Sequence, residues 1–192
     1  ATQEEITMSR TSEVTGLTNL HGGRLRVEEG AIYKGRGIES MSGSTVQLEN
    51  GILNHEKYNL NFQYGATLSL GGINCVTANA LTMQSGSTLA IDVSYRHQKD
   101  AALTINGGFQ LPQDGGTLTL LLKSDNTIRS SCSYCLLKGV TKPLEWSEAV
   151  ISVKSDGMPR GPTTSANASP SSYEHISEVD APIFCVTMVT VP

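Results

Sequence analysis

One short pattern constrains this chain more than any other feature. Gly-x-x-apolar-x-apolar occurs at Gly22-Gly23-Arg24-Leu25-Arg26-Val27, Gly43-Ser44-Thr45-Val46-Gln47-Leu48, Gly65-Ala66-Thr67-Leu68-Ser69-Leu70 and Gly86-Ser87-Thr88-Leu89-Ala90-Ile91. The leading glycines Gly22, Gly43, Gly65 and Gly86 recur with a period of about 21 residues. One more period leads to Gly107, where Gly108-Phe109-Gln110-Leu111 falls just short of the pattern, and the full pattern returns at Gly115-Gly116-Thr117-Leu118-Thr119-Leu120. A fixed period of this size is the signature of a repeat architecture.

A second apolar piece precedes each glycine: Leu17 and Leu20, Ile38 and Met41, Leu60 and Phe62, Leu81 and Met83, Leu103 and Ile105. Each unit therefore reads as short strand, glycine corner, short strand, longer return. A strand with two or three apolar side chains on one face cannot bury them alone. Stacking successive units in register buries them and turns the alternate residues to water. Glycine at the corner permits positive φ and a sharp change of direction. Helical periodicity is not sustained anywhere in 17–122. The alternative is a β-sandwich with evenly spaced hairpins, but hairpin dipeptides at the right places are few, Asn50-Gly51 and Asn106-Gly107 being the candidates. The pattern predicts an all-β parallel solenoid with about 21 residues per coil.

Composition agrees. The chain has 192 residues, of which 17% are charged and 5% aromatic, with 19 glycines and a net charge of −4. So few aromatics leave the core to aliphatic and small residues. The slight acidity argues against a nucleic-acid partner, and no apolar run reaches the ~20 residues needed to cross a membrane as a helix. The sequence starts at Ala1 without a signal-like stretch, which reads as a trimmed or processed fragment.

The strings GATLSL, LTMQSGSTLAIDVS and LTINGGFQLPQDGGTLTLLL resemble the passenger regions of bacterial autotransporters and their autotransporter-associated β-strand repeats. The resemblance spans roughly 17–122. It implies a right-handed parallel β-helix with one coil per repeat, in a secreted or surface-anchored protein of a Gram-negative bacterium. The function it implies is a non-catalytic rigid stalk or adhesion module. The expected partners are a host glycan or protein, or neighbouring domains of a longer chain.

Three segments follow from this reading. Residues 1–16 are a polar lead-in or an incomplete first coil. Residues 17–122 are the solenoid. Residues 123–192 are expected to form antiparallel strands that cap its open end, with Trp146 over the exposed core and a loop at 156–182 that holds four of the seven prolines. The strand-like pieces there are Tyr134–Val140, Ala149–Val153 and Phe184–Val191.

Candidate chemistry is sparse. Cys132 and Cys135 form a single C-x-x-C, short of the four soft ligands of a zinc site and without the helix of a redox motif. A disulfide joining one of them to Cys185 is the preferred reading, and Cys75 lies far away in a coil. His21, His55, His97 and His175 are scattered, and such lone histidines are expected in solvent. No nucleophile elbow is present, and Asn167-Ala168-Ser169 is a lone glycosylation triplet. Parallel β-helices also host carbohydrate-active enzymes, but a glycosidase needs two flanking carboxyls. The predicted outward strand positions are Arg24, Arg26, Thr45, Gln47, Thr67, Ser69, Thr88, Ala90, Thr117 and Thr119, with Asp92, Asp100 and Asp114 only in turns. No catalytic residue, metal site or cofactor is assigned. The column Thr45, Thr67, Thr88, Thr117 is the candidate contact face.

Overall fold

The computed structural model describes residues 4–72, 75–92, 102–113, 116–123, 133–138, 150–156 and 183–187. All regular structure in these residues is β-strand, arranged as a parallel solenoid. One sheet stacks β1 (Glu5–Met8), β4 (Arg24–Val27), β7 (Thr45–Glu49), β9 (Thr67–Gly71), β11 (Thr88–Asp92), β13 (Thr117–Lys123) and β15 (Val150–Asp156) in that order. The second contains β2 (Ser12–Glu13), β5 (Ile32–Lys34), β8 (Ile52–Phe62), β10 (Val76–Met83), β12 (Leu103–Gln110), β14 (Ser133–Lys138) and β16 (Ile183–Thr187). The short strands β3 (Thr18–Leu20) and β6 (Ile38–Ser40) extend this sheet by pairing with each other, and β6 also pairs with β8.

The chain alternates between the sheets, so every neighbour in a stack comes from the next turn. Arg24, Thr45, Thr67 and Thr88 share one register column, each a single sequence period after the one before. Inward positions stack like on like: Leu25, Val46, Leu68 and Leu89 in one column, Val27, Leu48, Leu70 and Ile91 in the next. Opposite them stand Tyr33, Leu53, Val76 and Leu103, then Ile38, Leu60 and Leu81, then Ser40, Phe62 and Met83. These belong to the buried core. Burying one such Leu or Phe stabilises by about 1.5–3 kcal/mol.

The glycine corners are a repeated turn. The N–H groups of Ser44, Ala66 and Ser87 donate to the carbonyls of Met41, Gln63 and Gln84 at 3.0, 2.9 and 3.1 Å. The third residue of each turn, Gly43, Gly65 or Gly86, has φ of 76°, 71° or 76°. Only glycine adopts that conformation without a Cβ penalty. The fourth residue is small and buried (Ser44, Ala66, Ser87), which lets the chain fold tightly over the core end.

Three expectations change. The long return is itself a strand in each turn, with a bend at Gly35–Gly37 between β5 and β6. The piece Leu103–Ile105 aligns with Val76–Ala78 in this return and not with Leu81–Met83, whose register is continued by Phe109 and Gln110. Beyond Gly86 the phase moves by two: Thr88 pairs with Thr119 and Leu89 with Leu120, so the path to the next turn is longer than in the turns before it. A shift of two preserves which side chains face inward.

At the amino end, the lead-in forms strands: β1 pairs with β4 and β2 with β5. At the other end, parallel pairing continues past residue 122, with β14 on β12 and β15 on β13. The one antiparallel pair among the described residues is β14 with β16. Trp146, the 157–182 part of the expected loop and the Asn167 triplet lie outside the described residues. Asn50-Gly51 is a corner between stacked strands and not a hairpin, with Asn50 at φ 56°. Asn106-Gly107 lies inside β12.

Candidate functional site

Alternation in the first sheet sends every second side chain outward, and parallel stacking lines these up in columns. The threonine column exists, but its fourth member is Thr119: Thr45, Thr67, Thr88 and Thr119 are register partners, and Arg24 precedes them. Thr117 instead pairs with Val150, and its carbonyl accepts the Gly86 N–H at 2.6 Å. The neighbouring column runs Arg26, Gln47, Ser69, Ala90, Leu121. Ala90 departs from the expected outward exposure, being only 1% exposed.

The same face carries charge at its amino end, where strand ends add carboxylates that the outward strand positions alone did not predict. Arg26 Nε donates to Glu49 Oε2 at 2.9 Å, and its Nη2 pairs with the same oxygen. Glu5 lies 3.8 Å and Glu28 3.7 Å from Arg26 Nη1, while Gln47 Nε2 donates to Glu49 Oε1 at 2.6 Å. The hydrogen bond to Glu49 chiefly raises the Arg26 pKa above its ordinary value. Exposed pairs of this kind contribute little to stability and weaken with salt. Arg26 thus lies against carboxylates of the turns on either side of it, Glu5 on β1 and Glu49 on β7.

The outer surface of the second sheet is rich in amides. Asn79 Nδ2 donates to Asn59 Oδ1 at 2.9 Å, and Asn61 Nδ2 donates to Glu39. Such bonds between successive turns are cross-strand pairs in the parallel sheet. Tyr58 and Tyr64 are exposed nearby in sequence, at the outer part of β8 and the following corner.

His55, which the sequence places in solvent, is buried. It sits on β8 in register with Ala78, facing into the stack. Its Nδ1 lies 2.9 Å from the Gly35 carbonyl and 3.2 Å from the Gly37 nitrogen, and its ring leans against Tyr33 at a centroid distance of 5.7 Å. Desolvation lowers its pKa below the ordinary value, partly opposed by the Gly35 hydrogen bond. The alternation of Leu53, His55 and the following exposed residues was the available signal for this inward position. His21 is exposed, while His97 and His175 lie outside the described residues.

Cys135 and Cys185 are direct register partners across β14 and β16. Cys132 lies outside the described residues. Cys75 is buried, with its Sγ 3.5 Å from the Ala102 carbonyl. Asp92 ends β11, and Asp100 and Asp114 lie outside the described residues. Among the described residues, no group of three or more His, Cys, Asp or Glu gathers as a metal centre, and no helix is long and apolar enough to cross a membrane. Compared with known proteins, the chain matches no family model, no curated protein and no solved structure.

Proposed function

We propose that this chain is a rigid segment of a secreted or surface-anchored bacterial protein, acting as a stalk or adhesion module. In this reading it is an autotransporter-type passenger piece, with the right-handed coil and the C-terminal β cap of that architecture. The observation that supports it is the unbroken parallel stack from β1 to β15. Each turn buries its apolar residues against the next, so length is gained without a new core, and the outward columns form a long regular surface. The hydroxyl column Thr45, Thr67, Thr88 and Thr119 is the proposed contact surface for a host glycan or protein.

The test presents the whole chain, immobilised, to arrayed host glycans and extracellular-matrix proteins. Retained binding that is lost in Thr67→Lys/Thr88→Lys supports the adhesive form of the proposal. Protease resistance of the free chain without ligand capture supports the stalk form. Depolymerisation of an acidic polysaccharide, with or without added calcium, overturns both in favour of a carbohydrate-active β-helix.

A further inference from the structure

Among the described residues, the buried polar side chains are Ser40, Ser44, Ser87 and His55. The serines are neutral at any physiological pH. His55 alone of the four changes charge between about pH 5 and 8.

Its position is structural as well as buried. Strand β8 runs continuously past the place where the previous turn is broken into β5 and β6 by the bend Gly35–Gly37. Backbone register holds up to Lys34 opposite Asn54 and resumes at Ile38 opposite Leu60. The His55 ring occupies this gap. A neutral imidazole Nδ1 carries either a proton or a lone pair, so it serves the Gly35 carbonyl or the Gly37 N–H, not both. The shorter 2.9 Å contact assigns the proton to Nδ1, donating to Gly35. Nε2 is then a bare acceptor, buried and without a partner. The opposite tautomer would bury an unpaired N–H, which is the rarer arrangement. The cradle is tight: a Cβ on Gly35 would sit 3.1 Å from His55 Cε1.

The bend also carries the first turn. Val14 N–H donates to the Lys34 carbonyl at 2.9 Å, Thr18 N–H to the Gly37 carbonyl at 3.1 Å, and Arg36 N–H to the Gly16 carbonyl at 3.3 Å. Thr18 Oγ1 shares a hydrogen bond with the Tyr33 hydroxyl, on the ring that packs against His55. The contacts therefore run from β8 through His55 and the bend to the first turn.

We propose that His55 is an acid-sensitive latch that holds the Gly35–Gly37 bend, and through it the first turn, onto the body of the solenoid. Protonation places N–H on both ring nitrogens. Nδ1–H keeps Gly35 as before, and the added Nε2–H finds no acceptor among the described residues. Among the described residues no carboxylate is paired with the ring. Glu13 and Glu56 are exposed, and Glu39 on β6 is engaged by Asn61. Lys34 and Arg36 on the bend side and Lys57 on β8 are exposed, the Tyr33 hydroxyl is bonded to Thr18, and β10 offers Ala78. A buried unpaired cation is strongly unfavourable, and opening the bend lets water reach it.

The experiment is hydrogen exchange of the whole chain at about pH 7.5 and about pH 5, corrected for intrinsic rates and read by mass spectrometry in the range where imidazole titrates. The expected result is loss of protection confined to peptides covering 12–20 and 32–40, while 66–70 and 88–91 stay protected. Uptake of one proton allows the opening equilibrium to shift by up to about tenfold per pH unit. His55→Gln keeps a donor for Gly35 without a titratable group, and should remove the acid response, whereas His21→Gln should retain it. Acid opening that persists in His55→Gln, or that spreads evenly over all turns of the native chain, overturns the proposal. If His55→Gln does not fold, the native exchange map alone decides between the confined and the uniform outcome.

Discussion

At the residue scale, two glycines show how differently one residue type can be required. Gly43 has open space around its missing Cβ but φ of 76°, so substitution there is opposed by backbone conformation alone. At Gly51 a Cβ would meet the Val27 carbonyl oxygen, carbon and Cγ1 all under 3.0 Å, against strand backbone that cannot rotate away. Gly43→Ala should therefore cost about 1–2 kcal/mol, and Gly43→Asn less, since asparagine tolerates the left-handed region and Asn50 already occupies it at 56°. Gly51→Ala should cost more than Gly43→Ala, because β4 must shift with the turn. Urea unfolding of the three variants checks the order, and Gly51→Ala as stable as the native chain would place the turns further apart than described. Leu89→Asp applies the same logic to the core. Leu89 is 4% exposed between Leu68 and Leu120, and an unpaired carboxylate there should abolish cooperative unfolding.

At the element scale, β14 and β16 carry the clearest chemical prediction. Directly opposed residues in an antiparallel pair have Cα atoms about 4.5–5.5 Å apart, inside the range of about 4.4–6.8 Å that a disulfide spans. Cys135 and Cys185 are such a pair. Peptide mapping of the oxidised, unreduced chain should recover a Cys135–Cys185 link. A Cys132–Cys135 link would overturn this assignment. The elements differed in how readable they were. The strands around Gly43, Gly65 and Gly86 were legible because turn chemistry and strict alternation coincide there. The return strands were not, because the apolar pattern is broken physically: by the bend Gly35–Gly37 in one turn and by exposed Glu56, Lys57, Tyr58 and Asn59 in the next. His55 lies just before that break, where its alternation with Leu53 is the one mark of its inward position. The phase beyond Gly107 was hidden for a different reason. Registers two residues apart expose the same faces, and Thr117-Leu118 and Thr119-Leu120 fit the column equally well until the partners are known.

At the scale of the whole molecule, a solenoid is a line of nearest-neighbour interfaces, so the same substitution should cost different amounts at different turns. One inward column permits a controlled comparison. Ile6, Leu25, Val46, Leu68 and Leu89 are successive register partners. Among the described residues Ile6 is paired on one side only, and it is 54% exposed, whereas Leu25 is 1% and Leu68 0% exposed. Truncation of a fully buried leucine removes its transfer free energy and leaves a cavity, for a loss of about 2–5 kcal/mol. Leu25→Ala and Leu68→Ala should fall in that range. Ile6→Ala leaves no enclosed cavity and should cost under about 1 kcal/mol. The distribution of the effect matters as much as its size. Leu68→Ala weakens the contacts of β9 with both β7 and β11, so it should lower hydrogen-exchange protection in all three strands. Ile6→Ala should affect β1 and β4 alone. Equal losses for Ile6→Ala and Leu68→Ala, with protection falling uniformly along the chain, would mean that the turns unfold as a single globular unit. Graded losses that spread one turn in each direction would establish that each turn is stabilised by the turns it touches.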